Sequence, residues 1–207
     1  MTRLSKTSAT GLINVSRETE DDLTRYVRIL EKWNSKINLI SKSTLDDIWR
    51  RHIADSAQLW DRSEKRGHWV DLGSGGGFPG LVIAILAKKN PDLTVALVEA
   101  DMRKATFLKA VVRELELPAT VHSQRIEKIG PLNADILSAR ALAPLDALLQ
   151  YADMHRKKDG MALFPKGQTV DREIRQALEN WRFDCEKLPS IVEPASYVLK
   201  IGEIARA

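Results

Sequence analysis

The sequence predicts an α/β protein with a mostly parallel sheet, closed by an antiparallel edge hairpin and preceded by a small helical element. Three observations carry that expectation. From His68 onward, short apolar runs alternate with longer stretches of helical period, the pattern of βαβ units with right-handed crossovers. The first apolar run empties into "VDLGSGGGFPG", residues 70–80, which places five glycines at a strand-to-helix turn. The last two apolar runs have only a loop between them, which brings adjacent strands together antiparallel.

The elements follow in order. From Ser16 to about Trp33, Leu23, Tyr26, Val27, Leu30 and Trp33 recur at helical spacing, and Glu18, Glu20, Asp21 and Asp22 load the first turns with acid. A second helix is expected from Thr44, as N-cap, to about Asp61, with a stripe through Leu45, Ile48, Trp49, His52, Ile53, Ser56, Leu59 and Trp60. Trp69 to Leu72 reads as the first strand, and Pro79 to Lys89 as a helix with proline in its first turn. "TVALVE" (94–99), "ATVHS" (119–123), "ADILSARA" (134–141) and "MALFPK" (161–166) read as further strands. Helices over 101–116 and 145–157 connect them, and "KKDG" signals a turn before the fifth strand. A helix over 170–181 and strand-like runs near 182–188 and 196–201 complete the chain. Five parallel strands closed by a hairpin are the outline of a Rossmann-like, class I S-adenosylmethionine-dependent methyltransferase sheet. The expected organisation is a flexible tail over 1–15, a helical extension over 16–65 and the methyltransferase domain over 66–207.

The bulk numbers agree with one such unit. The chain has 207 residues, 43% hydrophobic and 29% charged, enough to bury a core. A formal net charge of +4 permits a nucleic-acid partner without requiring one. Cys185 is the only cysteine, which excludes an intramolecular disulfide and fits a reducing cytoplasm. No apolar run approaches the ~20 residues of a membrane span, and the first residues lack the apolar stretch of a signal peptide. The four histidines and one cysteine show no ligand spacing, so no metal is expected.

The neighbours of the glycines discriminate among ligands. A triphosphate-binding loop ends in Gly-Lys-Ser/Thr, whereas this turn ends Gly77-Phe78-Pro79-Gly80. The dinucleotide pattern G-x-G-x-x-G fails when counted from Gly73. It matches from Gly75 only by moving the first glycine off the strand end and placing Pro79 where a helix N–H should donate. Asp71 sits at the carboxyl end of the first strand, where ligands bind in such sheets. A carboxylate there repels a pyrophosphate and favours a cation, and S-adenosylmethionine carries an ammonium and a sulfonium. Glu99, ending the second strand, can accept hydrogen bonds from ribose hydroxyls. That role is shared with NAD enzymes, so an NAD-dependent oxidoreductase stays open as an alternative. A non-catalytic RNA-binding or assembly factor that kept a nucleoside pocket is the other.

After the fourth strand the chain reads Ser138-Ala139-Arg140-Ala141, without the Asn/Asp-Pro-Pro-Tyr/Phe that handles exocyclic amines. Cys185 lies away from the strand-end loops, against a cysteine-nucleophile route to a pyrimidine carbon. What remains suits an acceptor with an in-plane lone pair, for which proximity and orientation suffice.

In these residues the chain resembles the RsmG family, also called glucose-inhibited division protein B. The segments are "KWNSKINLIS" (32–41), "RHIADS" (51–56), "DLGSGGGFPG" (71–80), "RKATFLKAV" (103–111), "SQRIE" (123–127), "SARA" (138–141) and "PKGQ" (165–168). The resemblance implies methylation of N7 of a guanine in 16S ribosomal RNA, in the decoding region of the small ribosomal subunit, with S-adenosylmethionine as cofactor. It implies that Gly73 and Phe78 contact the cofactor, that Gly75 and Gly77 shape the turn, that Glu99 holds the ribose and that Ile126 and Glu127 flank the adenine. Arg140 would sit beside the cofactor at the acceptor's entrance. The expected cofactor-binding set is therefore Asp71, Gly73, Ser74, Gly75, Gly77, Phe78, Glu99, Ala100, Ile126, Glu127 and Arg140, with Arg140 also the candidate for catalytic positioning. Glu99-Ala100 stands where members often carry Asp-Ser, a mild change. Lys42, Arg50, Arg51, Arg103, Lys104, Arg125 and Lys166 are the candidates to track the RNA backbone. Arg50 could instead pair with Asp46 or Asp47 on its own helix. His52, on the apolar stripe, reads first as a hydrogen-bonded core histidine, and Trp33, Trp49 and Trp60 as staples between helices and sheet. A cytoplasmic monomer is expected.

Overall fold

The structure, a computed structural model, describes residues 13–207. Of the expected tail over 1–15, all but its last three residues lie outside the described residues.

Helix α1 (Arg17–Asn34) begins where Ser16 takes an extended conformation and its hydroxyl accepts from the Thr19 N–H, an N-cap that satisfies one orphan donor. Its apolar stripe buries Leu23, Tyr26, Val27 and Leu30. The single helix expected from Thr44 to Asp61 is instead three pieces. A short α2 (Lys42–Leu45) is entered from extended Ser41, not from Thr44. A π-helical turn (Trp49–Ala54) then runs into α3 (Asp55–Trp60). The wider π turn carries "WRRHIA", the arginine- and histidine-bearing part of the motif, and π turns concentrate at functional sites.

Next come β1 (Gly67–Leu72), α4 (Gly80–Leu86), β2 (Leu93–Val98), α5 (Met102–Glu114) and β3 (Ala119–His122). They are followed by β4 (Ala134–Ala139), α6 (Leu145–His155), β5 (Arg156–Lys166), α7 (Val170–Ala177), β6 (Trp181–Pro189) and β7 (Tyr197–Arg206). The seven strands form one sheet in the order β3-β2-β1-β4-β5-β7-β6. The pairs among β1 to β5 are parallel, and β7 lies antiparallel to both β5 and β6. The expected sheet and edge hairpin are thus present. The expected "KKDG" turn falls inside β5, opposite a register shift in β4 between Ala134 and Ile136, so glycine serves an irregularity in the ladder here.

Both faces are covered, as a parallel sheet requires. One core joins α1, α3, α4 and α5 to Trp69, Val95, Leu97 and Ile136 of the sheet. The other joins α6 and α7 to Val70, Leu72, Val98 and Leu137. Trp33, Trp49 and Trp60 are partly buried against the first core, and Trp33 meets Phe107 edge-on at 5.8 Å, as the staple reading expected. Cys185 is exposed on the edge strand β6, away from the strand-end loops. Strand order reverses between β1 and β4, and their carboxyl ends open the crevice in which ligands bind.

Candidate active site

The crevice is built around Asp71. Asp71 and Ser138 are register partners on β1 and β4, and Trp69, two residues back, shares their face. The Trp69 Nε1–H donates to Ser138 Oγ at 2.9 Å, and Ser138 Oγ–H donates to Asp71 Oδ1 at 2.7 Å. The Gly80 N–H, at the start of α4, donates to Asp71 Oδ2 at 3.2 Å. Asp71 has no exposed surface, and burial pushes its carboxyl up to about 6 against the pull of Ser138, Ser74, Gly80 and Arg140. The carboxylate therefore acts on a ligand through its charge and through the loop it holds, not through open contact.

The glycine turn wraps over that carboxylate. Gly73, Gly75 and Gly77 take φ values of +66°, +52° and +92°, the left-handed region where a side chain is strained. At Gly77 a Cβ would also collide with Leu81 and lie 2.8 Å from the Tyr26 hydroxyl. That hydroxyl, from α1, donates to the Gly76 carbonyl at 2.5 Å. The N-terminal helix thus pins the turn, a role invisible in sequence because Tyr26 reads there only as a member of the apolar stripe. Ser74 faces inward: its hydroxyl donates to the Asp71 carbonyl at 3.0 Å and it is buried.

Glu99 follows β2 and faces the turn. Its Oε2 accepts from the Gly75 N–H and its Oε1 from the Asp101 N–H, both at 2.8 Å. Each carboxylate oxygen keeps a second acceptor site, directed by two fixed backbone donors, as a pair of ribose hydroxyls needs. Ala100 is exposed beside it. After β3, Ile126 opens a short 3₁₀ turn (Ile126–Lys128), and its carbonyl lies 3.1 Å from His155 Nε2. Tyr151 donates to Glu127 Oε1 at 2.6 Å.

Arg140 leaves the end of β4 and ties the turn to the N-terminal helices. Its guanidinium lies 5.1 Å from the Phe78 ring centre, and its Nη1 donates to the Arg51 carbonyl at 3.1 Å and to Asp55 Oδ2 at 3.3 Å. Its Nη2 donates to His52 Nδ1 at 2.7 Å. A guanidinium cannot accept, so Nδ1 is bare and the proton sits on Nε2, which donates to Thr44 Oγ1 at 3.0 Å. Burial, then the charges of Arg140 and Arg51, push His52 down to about 3. A neutral His52 stacks on Phe78 with ring centres 4.7 Å apart. It is hydrogen-bonded and buried as expected of a core histidine, yet it also lines the crevice.

Beyond Arg140 opens a cavity of about 750 Å³, bounded by His52 and Asp55, the β4–α6 loop, Lys166, Glu173 and the β6–β7 loop. Lys166 is ion-paired with Glu173 at 2.8 Å and donates to the Ala143 carbonyl. Arg50 donates to the Val192 carbonyl and pairs with Asp47 and Glu193, holding the β6–β7 loop against the π turn. These two residues serve internal structure first. Arg51 and Arg125 are exposed, as are Lys42 and Arg103, the last paired with Asp101. Lys104 is half-buried in the first turn of α5. Among the described residues no group of three or more His, Cys, Asp or Glu gathers as a metal site, and no helix is long and apolar enough to cross a membrane.

A switch point with a buried acid under a glycine turn, a second acid facing it from β2 and no phosphate-binding lysine defines a class I S-adenosylmethionine-dependent methyltransferase. Solved structures share the fold: a putative O-methyltransferase from Klebsiella pneumoniae (TM-score 0.61, 13% identity, 95% of this chain and 94% of that one), and a SAM-dependent methyltransferase from Aquifex aeolicus (TM-score 0.57, 12% identity, 86% and 97%). Residues 19–196 match the family model described as rRNA small subunit methyltransferase G. A ribosomal RNA small subunit methyltransferase G from Ruegeria sp. is 47% identical over 195 residues, 94% of this chain and 95% of its own length. The chain belongs to that family.

Proposed function

We propose that the protein transfers a methyl group from S-adenosylmethionine to N7 of a guanine in 16S ribosomal RNA of the small subunit. The observation that carries the reading is the glycine turn held between Asp71, Glu99 and Tyr26, in a chain whose family relatives carry the rRNA small subunit name. When bound, the cofactor supplies an electrophilic methyl on a sulfonium. Gly73, Gly75 and Gly77 leave backbone bare for its amino-acid part. Glu99 accepts from the ribose hydroxyls, and Ile126 and Glu127 border the adenine. The negative field of Asp71 favours the cation over a pyrophosphate. Phe78 and Arg140 stand between this pocket and the cavity beyond, where the acceptor base enters.

N7 of guanine has an in-plane lone pair and carries no proton, so the transfer needs proximity and orientation and no general base. Residues 16–65 supply one wall of the cavity and residues 66–207 the cofactor sheet. Lys42, Arg51, Arg103 and Arg125 present exposed charge to the RNA backbone. The protein works as a monomer in the cytoplasm. Labelled-methyl transfer to small subunits lacking the modification tests the reading. Incorporation at a guanine N7 is expected; none, with S-adenosylhomocysteine demonstrably bound, overturns it.

A further inference from the structure

The geometry points to Asp55 as the residue that reads the Watson–Crick edge of the target guanine and balances the charge that methylation creates. This inference rests on the guanine-N7 reading above. Guanine presents two adjacent donors, N1–H and the N2 amino group, which a carboxylate accepts as a bidentate pair; adenine, cytosine and uracil lack that pair. The cavity beyond Arg140, at about 750 Å³, falls within the range of small-ligand sites, and three carboxylates line it: Asp55, Glu173 and Glu193.

Two of the three are committed elsewhere. Glu173 accepts from Lys166 Nζ and the Leu145 N–H through Oε2, and from Thr169 through Oε1. Glu193 is half-exposed at the rim, beside Arg50. Asp55 is mostly buried and accepts one donor on each oxygen, Gln58 Nε2 at 2.8 Å and Arg140 Nη1 at 3.3 Å. One acceptor site remains on each. Burial pushes its carboxyl above the ordinary range, with Arg140 opposing, so a further pair of donors is well placed to stabilise the anion.

Position matters as much as chemistry. Asp55 touches Arg140, and Arg140 lies over Phe78 of the glycine turn, so a base gripped here stands next to the methyl donor. In the transfer, the N7 lone pair forms the new C–N bond as the carbon–sulfur bond breaks with its electrons going to sulfur. The positive charge passes from sulfur to the purine, and N1–H becomes more acidic. A carboxylate fixed at N1–H and N2–H therefore binds the methylated cation and the transition state more tightly than the neutral base.

The test uses small subunits assembled with either guanine or inosine at the target; inosine keeps N7, O6 and N1–H and lacks only the N2 amino group. Wild-type protein should transfer to inosine about tenfold or more slowly in kcat/KM, the loss of one hydrogen bond to a charged group. Asp55→Asn should slow transfer to guanine by more than that factor, because the N1–H contact and the balancing charge go with the N2 contact, bring the guanine-to-inosine ratio near 1, and leave S-adenosylhomocysteine affinity within about threefold. A purely structural role for Asp55 would lower both rates and keep the ratio. A wild-type ratio near 1, or an Asp55→Asn variant with the wild-type ratio, overturns the assignment. Wild-type protein that binds S-adenosylhomocysteine and methylates neither base sinks the guanine-N7 reading itself.

Discussion

Replacing Asp71 with asparagine should separate the energetic cost of the buried carboxylate from its service to the ligand. Burial raises the Asp71 carboxyl from 3.8 to about 6, roughly two pKa units, or about 3 kcal/mol at about 1.4 kcal/mol per unit. Between those values the native state holds a proton that the unfolded chain has released. Stability contributed by this group is therefore complete below about pH 4 and lost as pH rises through 6. Asparagine has no such titration. Its oxygen can still accept from Ser138, but its amide nitrogen then faces the Gly80 N–H that Asp71 accepts at 3.2 Å; a lost bond with unpaired buried donors costs about 1–3 kcal/mol. The two effects nearly cancel at pH 7, so the variant should unfold in urea within about 2 kcal/mol of wild type there. At pH 4.5, where only about 1 of those 3 kcal/mol is lost, it should be the less stable, by up to about 2 kcal/mol. Titration calorimetry should find its S-adenosylhomocysteine affinity at least tenfold lower, about 1.4 kcal/mol, because the charge behind the turn is gone. A stability difference that does not change with pH, or unchanged affinity, would refute this account of Asp71.

Gly77→Ala adds a Cβ at a φ of +92°, into Leu81 and 2.8 Å from the Tyr26 hydroxyl, and should lose more than about 2 kcal/mol in urea unfolding; a wild-type midpoint would mean that the turn yields freely. Tyr26→Phe leaves the Gly76 carbonyl without its donor and should cost about 1–3 kcal/mol of stability with weaker S-adenosylhomocysteine binding. A variant equal to wild type in both measurements would remove α1 from the site. His52, pushed down to about 3 by burial and then by Arg140 and Arg51, should show the neutral Nε2–H tautomer by nitrogen NMR from pH 5 to 8, and a titration near 6.5 would contradict the network. Arg51→Gln and Arg125→Gln should each reduce the slope of log affinity for RNA against log salt by about 0.7–0.9, measured by filter binding; an unchanged slope would take those exposed arginines off the RNA.

The strands were the most legible part of the fold, because buried parallel strands are continuous apolar runs and each carries its own signal. The order in which β4 crosses to the other side of β1, and the pairing of Asp71 with Ser138, depend on tertiary packing and left no local mark. The second helix misled for a physical reason: its stripe from Leu45 to Trp60 keeps helical spacing, yet the chain widens into a π turn at Trp49–Ala54. There His52 and the Arg51 carbonyl both meet Arg140. Glu99 and the glycines were readable because strand ends and left-handed turns restrict residue types strongly. Tyr26 and Asp55 were not, since an apolar stripe conceals a hydroxyl and a helix conceals one acid among many. The pairing of Arg50 with Asp47 was legible from helical spacing and is present, whereas its contact with Glu193 and that of Lys166 with Glu173 were not, because charge alone does not reveal a partner in another element of the same chain.

On electrostatic grounds a crevice with a buried carboxylate beneath bare backbone should accept a sulfonium nucleoside and reject a diphosphate. Thermal unfolding with saturating S-adenosylmethionine and, separately, NAD tests it most directly, because only a ligand bound by the native state raises the melting temperature. At a hundredfold excess over its dissociation constant, S-adenosylmethionine should add about 2.7 kcal/mol of stability, and NAD at the same concentration should add none. Stabilisation by NAD with no response to S-adenosylmethionine would contradict the account.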